Sequence, residues 1–183
     1  MNLNYLPNFV RLLSIIFLFL AISVNGQSLL NVDSAVVKNS DKAPFLVRKN
    51  ISLLSKHLTK NYSTDHDKFL AIYTYVINNI EYDVKQLEFT KIKEQSSKKT
   101  LKRGKGVCMH YAQLLEDICA AVDITCVKVD GNVDRDLWTH LHPESYHVAD
   151  HSWNAVKIDN EWALVDATFD AGYITTKPRK FRE

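Results

Sequence analysis

Three residues in this chain have types and surroundings suited to covalent catalysis: Cys108, His151 and Asp166. Cys108 opens an amphipathic helical pattern, GKGVCMHYAQLLEDICAAVDI, directly after a glycine-flanked loop. A cysteine there meets unpaired N–H groups and the positive end of the helix dipole, which favour a thiolate. Arg103 and Lys105 are expected to add positive charge nearby, and Gly104 and Gly106 to permit a tight approach to the helix. Downstream, HSWNAVKIDNEWALVDATF reads as two strands joined by a turn at Asp159 and Asn160. A two-residue turn sets His151 opposite Thr168 and Trp153 opposite Asp166, so His151 and Asp166 share a face as diagonal neighbours. The carboxylate is then expected to take the Nδ1 proton, leaving Nε2 to serve the nucleophile. Asp166 needs such a partner, because a carboxylate inside the apolar run WALVDATF is costly to bury alone. The chemistry implied is attack by an activated thiolate with a histidine as acid and base.

The elements that must position these groups are legible in the hydrophobic periodicity. From Pro44, Ile51, Leu54 and Leu58 predict a helix that ends near KNYSTD. Thr64 or Asp65 caps a second helix, whose stripe of Phe69, Tyr73, Val76, Ile77 and Ile80 is explained by core packing. Residues 84–105 carry seven Lys or Arg between positions 91 and 105 against Glu94, and read as a solvated flexible loop that delivers the chain to Cys108. The third helix is expected from Cys108 to Val122, with Asp123 ending it in a left-handed conformation. Thereafter the period switches to two: ITCVKVDGNV is a strand, WTHLHPESYHVAD a polar loop, and the hairpin follows. Helices first and an antiparallel sheet second define an α+β domain.

Composition narrows the class. The chain of 183 residues is 46% hydrophobic and 24% charged, enough for one domain with a core. A net charge of +2 gives no electrostatic reason for a nucleic-acid partner. Residues 1–26 read as a signal peptide, with Arg11, the apolar run LLSIIFLFLAISV, and Val24 and Gly26 before the cut. That run is too short for a spanning helix, so the expectation is an exported, periplasmic or secreted protein without a stable membrane anchor after cleavage. Residues 27–43 form a leading arm, and 44–183 the domain. Of the three cysteines, Cys108 and Cys119 lie too far apart along one helix to bridge. Cys119 and Cys126 are open to two readings, a disulfide or two small buried side chains. The histidines at 140, 142, 147 and 151 lack a regular ligand spacing, so neither a metal nor another cofactor is expected. Nothing in the sequence sets an oligomeric state.

Three blocks, FLAIYTYVINNIEYD, GVCMHYAQLLEDICAAVDITCVKVDGN and HSWNAVKIDNEWALVDATF, resemble those of the transglutaminase-like superfamily, in its kyphoscoliosis peptidase-like branch. The resemblance implies a papain-like fold, with Cys108 as nucleophile, His151 as general base and acid, and Asp166 as the orienting carboxylate. It also implies a protein or peptide substrate, cleaved or acyl-transferred through a thioester, with Tyr82 and Trp153 beside the substrate. Relatives often carry glycine where this chain has His110, an imidazole expected to crowd the cleft or perturb the thiolate. They continue with further strands where this chain has the basic tail TTKPRKFRE, which suggests C-terminal truncation. The competing reading is a non-catalytic peptide- or protein-binding module that retains the fold.

Overall fold

Asn50 caps the first helix, its side-chain oxygen accepting the Leu53 N–H at 3.0 Å, and α1 (Ile51–Thr59) follows. In this computed structural model, residues 43–88, 93–133, 150–176 and 179–182 are described. The leader, most of the leading arm and the histidine-rich loop therefore lie outside the described residues. Thr64 caps α2 (Asp65–Asn79), with Asp65 and Asp67 in the first turn, where carboxylates complement the helix dipole. Every residue from Phe69 to Val76 is buried, so α2 runs through the core rather than along one side of it.

The charged stretch differs from its expectation. A 3-10 turn at Val84–Glu88 and a helix, α3 (Ser97–Arg103), form within it. Lysine and arginine are good helix formers, Ser96 caps the N-terminus, and Gly104 closes the C-terminus at φ +61°. Ser97 and Thr100 are buried beneath it. Two short parallel strands, β1 (Glu81–Tyr82) and β2 (Lys105–Gly106), bracket this excursion, pairing Tyr82 with Gly106.

Helix α4 (Cys108–Ala120) starts where expected and ends two residues early, with Asp123 at φ +61° turning the chain. Leu114, Leu115 and Ile118 are fully buried. The Ser55 hydroxyl donates to the Ile118 carbonyl at 2.9 Å, and the Tyr111 hydroxyl donates to the Ile80 carbonyl, so α1 and α2 both grip α4. Against α4 packs the antiparallel sheet β3–β4–β5: β3 (Cys126–Gly131), β4 (His151–Ile158) and β5 (Glu161–Val165). Asn154 pairs with Val165 and Ile158 with Glu161, the register expected of a two-residue turn. Asp159 and Asn160 have φ of +51° and +67°, as a type I′ turn requires. Asn154, Val156 and Ile158 are buried, and the Asn154 amide donates to the Ala112 carbonyl at 3.0 Å, joining β4 to α4.

Strand β5 stops at Val165, short of the Trp153–Asp166 pair expected from the sequence. Asp166 instead caps a short helix, α5 (Ala167–Asp170), because its carboxylate accepts the Thr168 and Phe169 N–H groups. The basic tail, expected to contribute little, pairs as an antiparallel hairpin of β6 (Tyr173–Thr176) and β7 (Arg179–Arg182). The aromatic and β-branched residues of β6 suit a strand.

Candidate active site

Cys108, His151 and Asp166 come from three elements and meet at one place. Cys108 is the first residue of α4, His151 the first of β4, and Asp166 the residue between β5 and α5. Asp166 divides its two oxygens. Oδ1 accepts the Thr168 and Phe169 N–H groups at 3.0 and 3.1 Å, while Oδ2 meets His151 Nε2 at 2.6 Å. The N-terminal amides of α5 thus hold the carboxylate, and the carboxylate holds the imidazole. The nitrogen assignment is the reverse of the one expected from sequence: Nε2 faces the acid, which leaves Nδ1 for Cys108. Periodicity fixes the face a side chain occupies, but the ring's rotamer decides which nitrogen points where.

The Cys108 thiol is in hydrogen-bonding contact with His151, and the backbone N–H groups of Ser152 and Met109 also face it. Burial alone would push this thiol up; the bond to and charge of His151, with those two amides, bring it below the ordinary thiol value. Burial likewise disfavours the His151 cation, yet Asp166 and Cys108 outweigh it and raise the imidazole to about 9. With the thiol drawn down and the imidazole raised, each by the other, the pair favours a thiolate and an imidazolium. Both groups are well covered, Cys108 at 9% exposure and His151 at 4%.

Arg103 and Lys105 do not supply the positive charge expected of them at the sulfur. Arg103 pairs with Asp83 at 2.6 Å and Lys105 with Glu81 at 3.0 Å. His110 also departs from expectation. It is 2% exposed, its Nδ1 accepts the Val107 N–H at 3.1 Å, and its Nε2 meets the Lys93 carbonyl at 3.1 Å. Both nitrogens are satisfied by a neutral ring that donates from Nε2, and burial pushes its pKa down. His110 therefore secures the start of α4 instead of crowding the cleft. Gly106 has to be glycine for the same reason, since a Cβ there would lie 2.7 Å from His110 Cβ.

Tyr82 sits in β1 and packs partly against the core, paired with Gly106 of the neighbouring strand, which precedes Cys108 by two residues. Trp153 stacks on His151, with ring centroids 6.0 Å apart, and lies across Gly131, where a Cβ would come within 2.5 Å of the indole. Cys119 and Cys126 are both buried free thiols, hydrogen-bonded to one another, which separates them from Cys108. Sequence reasoning missed two contributors. Phe169 stacks on His151, and Tyr73, read as core, donates its hydroxyl to Asp170 at 2.6 Å. The aromatic directly after Asp-Ala-Thr was a signal for the first; the apolar stripe concealed the second. Among the described residues no cluster of His, Cys, Asp and Glu could hold a metal ion.

A buried thiol at a helix start, facing an imidazole oriented by a carboxylate at a hairpin's end, defines a papain-like α+β architecture. The sequence profile of the transglutaminase-like superfamily matches residues 53–167, more than half of the chain, and the chain belongs to that superfamily. Among curated proteins it is similar to the kyphoscoliosis peptidase of Mus musculus, 28% identical over 135 residues, and to that of Homo sapiens, 27% identical over 134. These alignments cover 74% and 73% of this chain but 20% of each relative, so the chain spans about a fifth of their length. Among solved structures, a candidate cysteine protease from Cytophaga hutchinsonii shares the fold, with a TM-score of 0.50 at 22% identity, covering 75% of this chain and 43% of that one.

Proposed function

We propose that this protein is a cysteine enzyme acting on protein or peptide amides through a thioester on Cys108. The observation that carries the reading is the 2.6 Å bond between Asp166 and His151 Nε2, with the Cys108 thiol against the same imidazole. The Cys108 thiolate attacks the amide carbonyl carbon, giving a tetrahedral oxyanion. As that intermediate collapses, the C–N bond breaks and the His151 imidazolium passes its proton to the departing nitrogen. The neutral imidazole then takes a proton from water or from an incoming amine, which attacks the thioester and frees the sulfur. Asp166 holds the ring and stabilises its cation throughout. Tyr82, paired with Gly106, and Trp153, stacked on His151, are assigned to substrate contact.

The test is mass spectrometry of the full chain after exposure to a peptide amide library. An acyl adduct on Cys108, absent from Cys108→Ala, supports the reading; no adduct and no turnover into acid or new amide would sink it. The burial of Cys108 favours a second reading, a peptide-binding module with the same fold. In that case Cys108→Ala would retain peptide binding, measured by calorimetry, while neither form turns peptide over. We also assign the apolar segment before Gln27 to export, which N-terminal sequencing of the mature protein tests. Among the described residues no helix is long and apolar enough to cross a membrane.

A further inference from the structure

Phe169 is 56% exposed, so core packing does not account for its placement. Its ring lies 4.6 Å from the His151 imidazole, centroid to centroid, with 14° between the planes. Its position is fixed by the same carboxylate that orients the imidazole: the Phe169 N–H donates to Asp166 Oδ1, and Asp166 Oδ2 meets His151 Nε2. One acid therefore sets both rings and stacks them. Trp153 approaches His151 at 6.0 Å and 28°, a looser contact.

We propose that Phe169 is a positioning residue that acts through His151, favouring the imidazolium by stacking its π face on the ring and keeping water from the His151–Asp166 hydrogen bond. The face of an aromatic ring carries negative electrostatic potential, so it stabilises a stacked cation more than the same ring when neutral. The hydrogen bond needs cover, because the Asp166 side chain is 22% exposed and water could compete for its oxygen. Among the described residues few other charges bear on His151. Cys108 on α4 and Asp166 before α5 are in contact with it. Of the acids nearby, Asp130 on β3 is occupied by Ser152 and Lys128, Asp150 receives the Val133 N–H, and Asp170 on α5 receives the Tyr73 hydroxyl. Phe169 is the remaining group on α5 that can tune the imidazole.

This inference deepens the proposed thiol chemistry and rests on it. Acid-side ionisation of Cys108 takes place with His151 already protonated, so stacking stabilises both sides of that step equally. Loss of the imidazolium proton is the step that Phe169 opposes. The experiment is the rate of Cys108 alkylation by iodoacetate, whose carboxylate is drawn by the imidazolium so that the rate falls when His151 loses its proton, measured against pH in the wild type and in Phe169→Ala, Phe169→Leu and Phe169→Tyr, with the Tm of each. Expected is a thiolate-dependent plateau in the wild type and a fall of about 0.5 to 1 pH unit in the alkaline limb of the Ala and Leu variants. The acid limb and Tm should stay near wild type, and the Tyr variant should restore the alkaline limb. If the wild type alkylates as an ordinary thiol, the thiol chemistry itself fails and takes this inference with it. If the wild type is activated but Ala and Leu leave the alkaline limb in place, or Tyr does not restore it, Phe169 has no such role and the thiol chemistry stands.

Discussion

At the scale of single residues, the pairing of Cys108 with His151 sets the pH window of any activity. The acid limb should lie below the ordinary thiol pKa, where the Cys108 thiolate forms, and the alkaline limb near 9, where His151 loses its proton. A bell-shaped kcat/KM profile with those limbs checks this. Asp166→Asn keeps an oxygen for the Thr168 and Phe169 N–H groups but replaces the acceptor facing His151 with a donor. Activity should fall by about 100- to 10,000-fold, while the melting temperature changes much less. His110 gives a contrary expectation. His110→Ala strands the Val107 N–H and leaves a hole beside Gly106, so it should destabilise the protein by about 2–4 kcal/mol in urea unfolding, without raising activity.

At the scale of elements, α5 is the piece on which the site depends. Tyr73 on α2 donates to Asp170 at its far end, and the backbone of Asp166 faces the same phenol oxygen, so a single hydroxyl spans the short helix. Burial and Asp170 both push the Tyr73 pKa up, so this hydroxyl stays protonated. Tyr73→Phe should cost about 1 kcal/mol of stability and lower kcat while leaving KM nearly unchanged, as a displaced Asp166 would. Elements were legible in the sequence where one physical rule dominated. Parity through a two-residue turn gave the β4–β5 register, and Thr64 and Asp123 marked helix ends. Competing rules hid the rest. The run of positive charge read as a solvated loop and hid α3, although Ser96 and Gly104 cap it, and apolar periodicity carried β5 past Asp166, whose side chain captures two amides and starts a helix. The stacking of Phe169 on His151 could not be read while Asp166 was placed inside a strand.

At the scale of the whole molecule, the site is also a source of pH-dependent stability. His151 is held above its ordinary 6.5, at about 9. A group whose folded pKa is raised stabilises the fold fully below its unfolded pKa and loses that contribution as pH climbs through the folded value. Its contribution should therefore fade between about 6.5 and 9, and replacing it by glutamine should flatten the urea midpoint over that window. The β1–β2 ladder has a different consequence. The Glu81 N–H donates to the Gly104 carbonyl and the Asp83 N–H to the Gly106 carbonyl, each at 2.8 Å, and Arg103 clamps Asp83 at the same neck. The excursion between Asp83 and Gly104 is tied off at its base, so residues added to it away from Lys93, Gln95 and α3, which hold the start of α4 through His110 and Lys105, need not move Cys108. Closing a loop twice as long costs only about 0.6 kcal/mol, which makes this excursion the part of the molecule where evolution or an engineer can splice in new recognition sequence and leave the sulfur where it is.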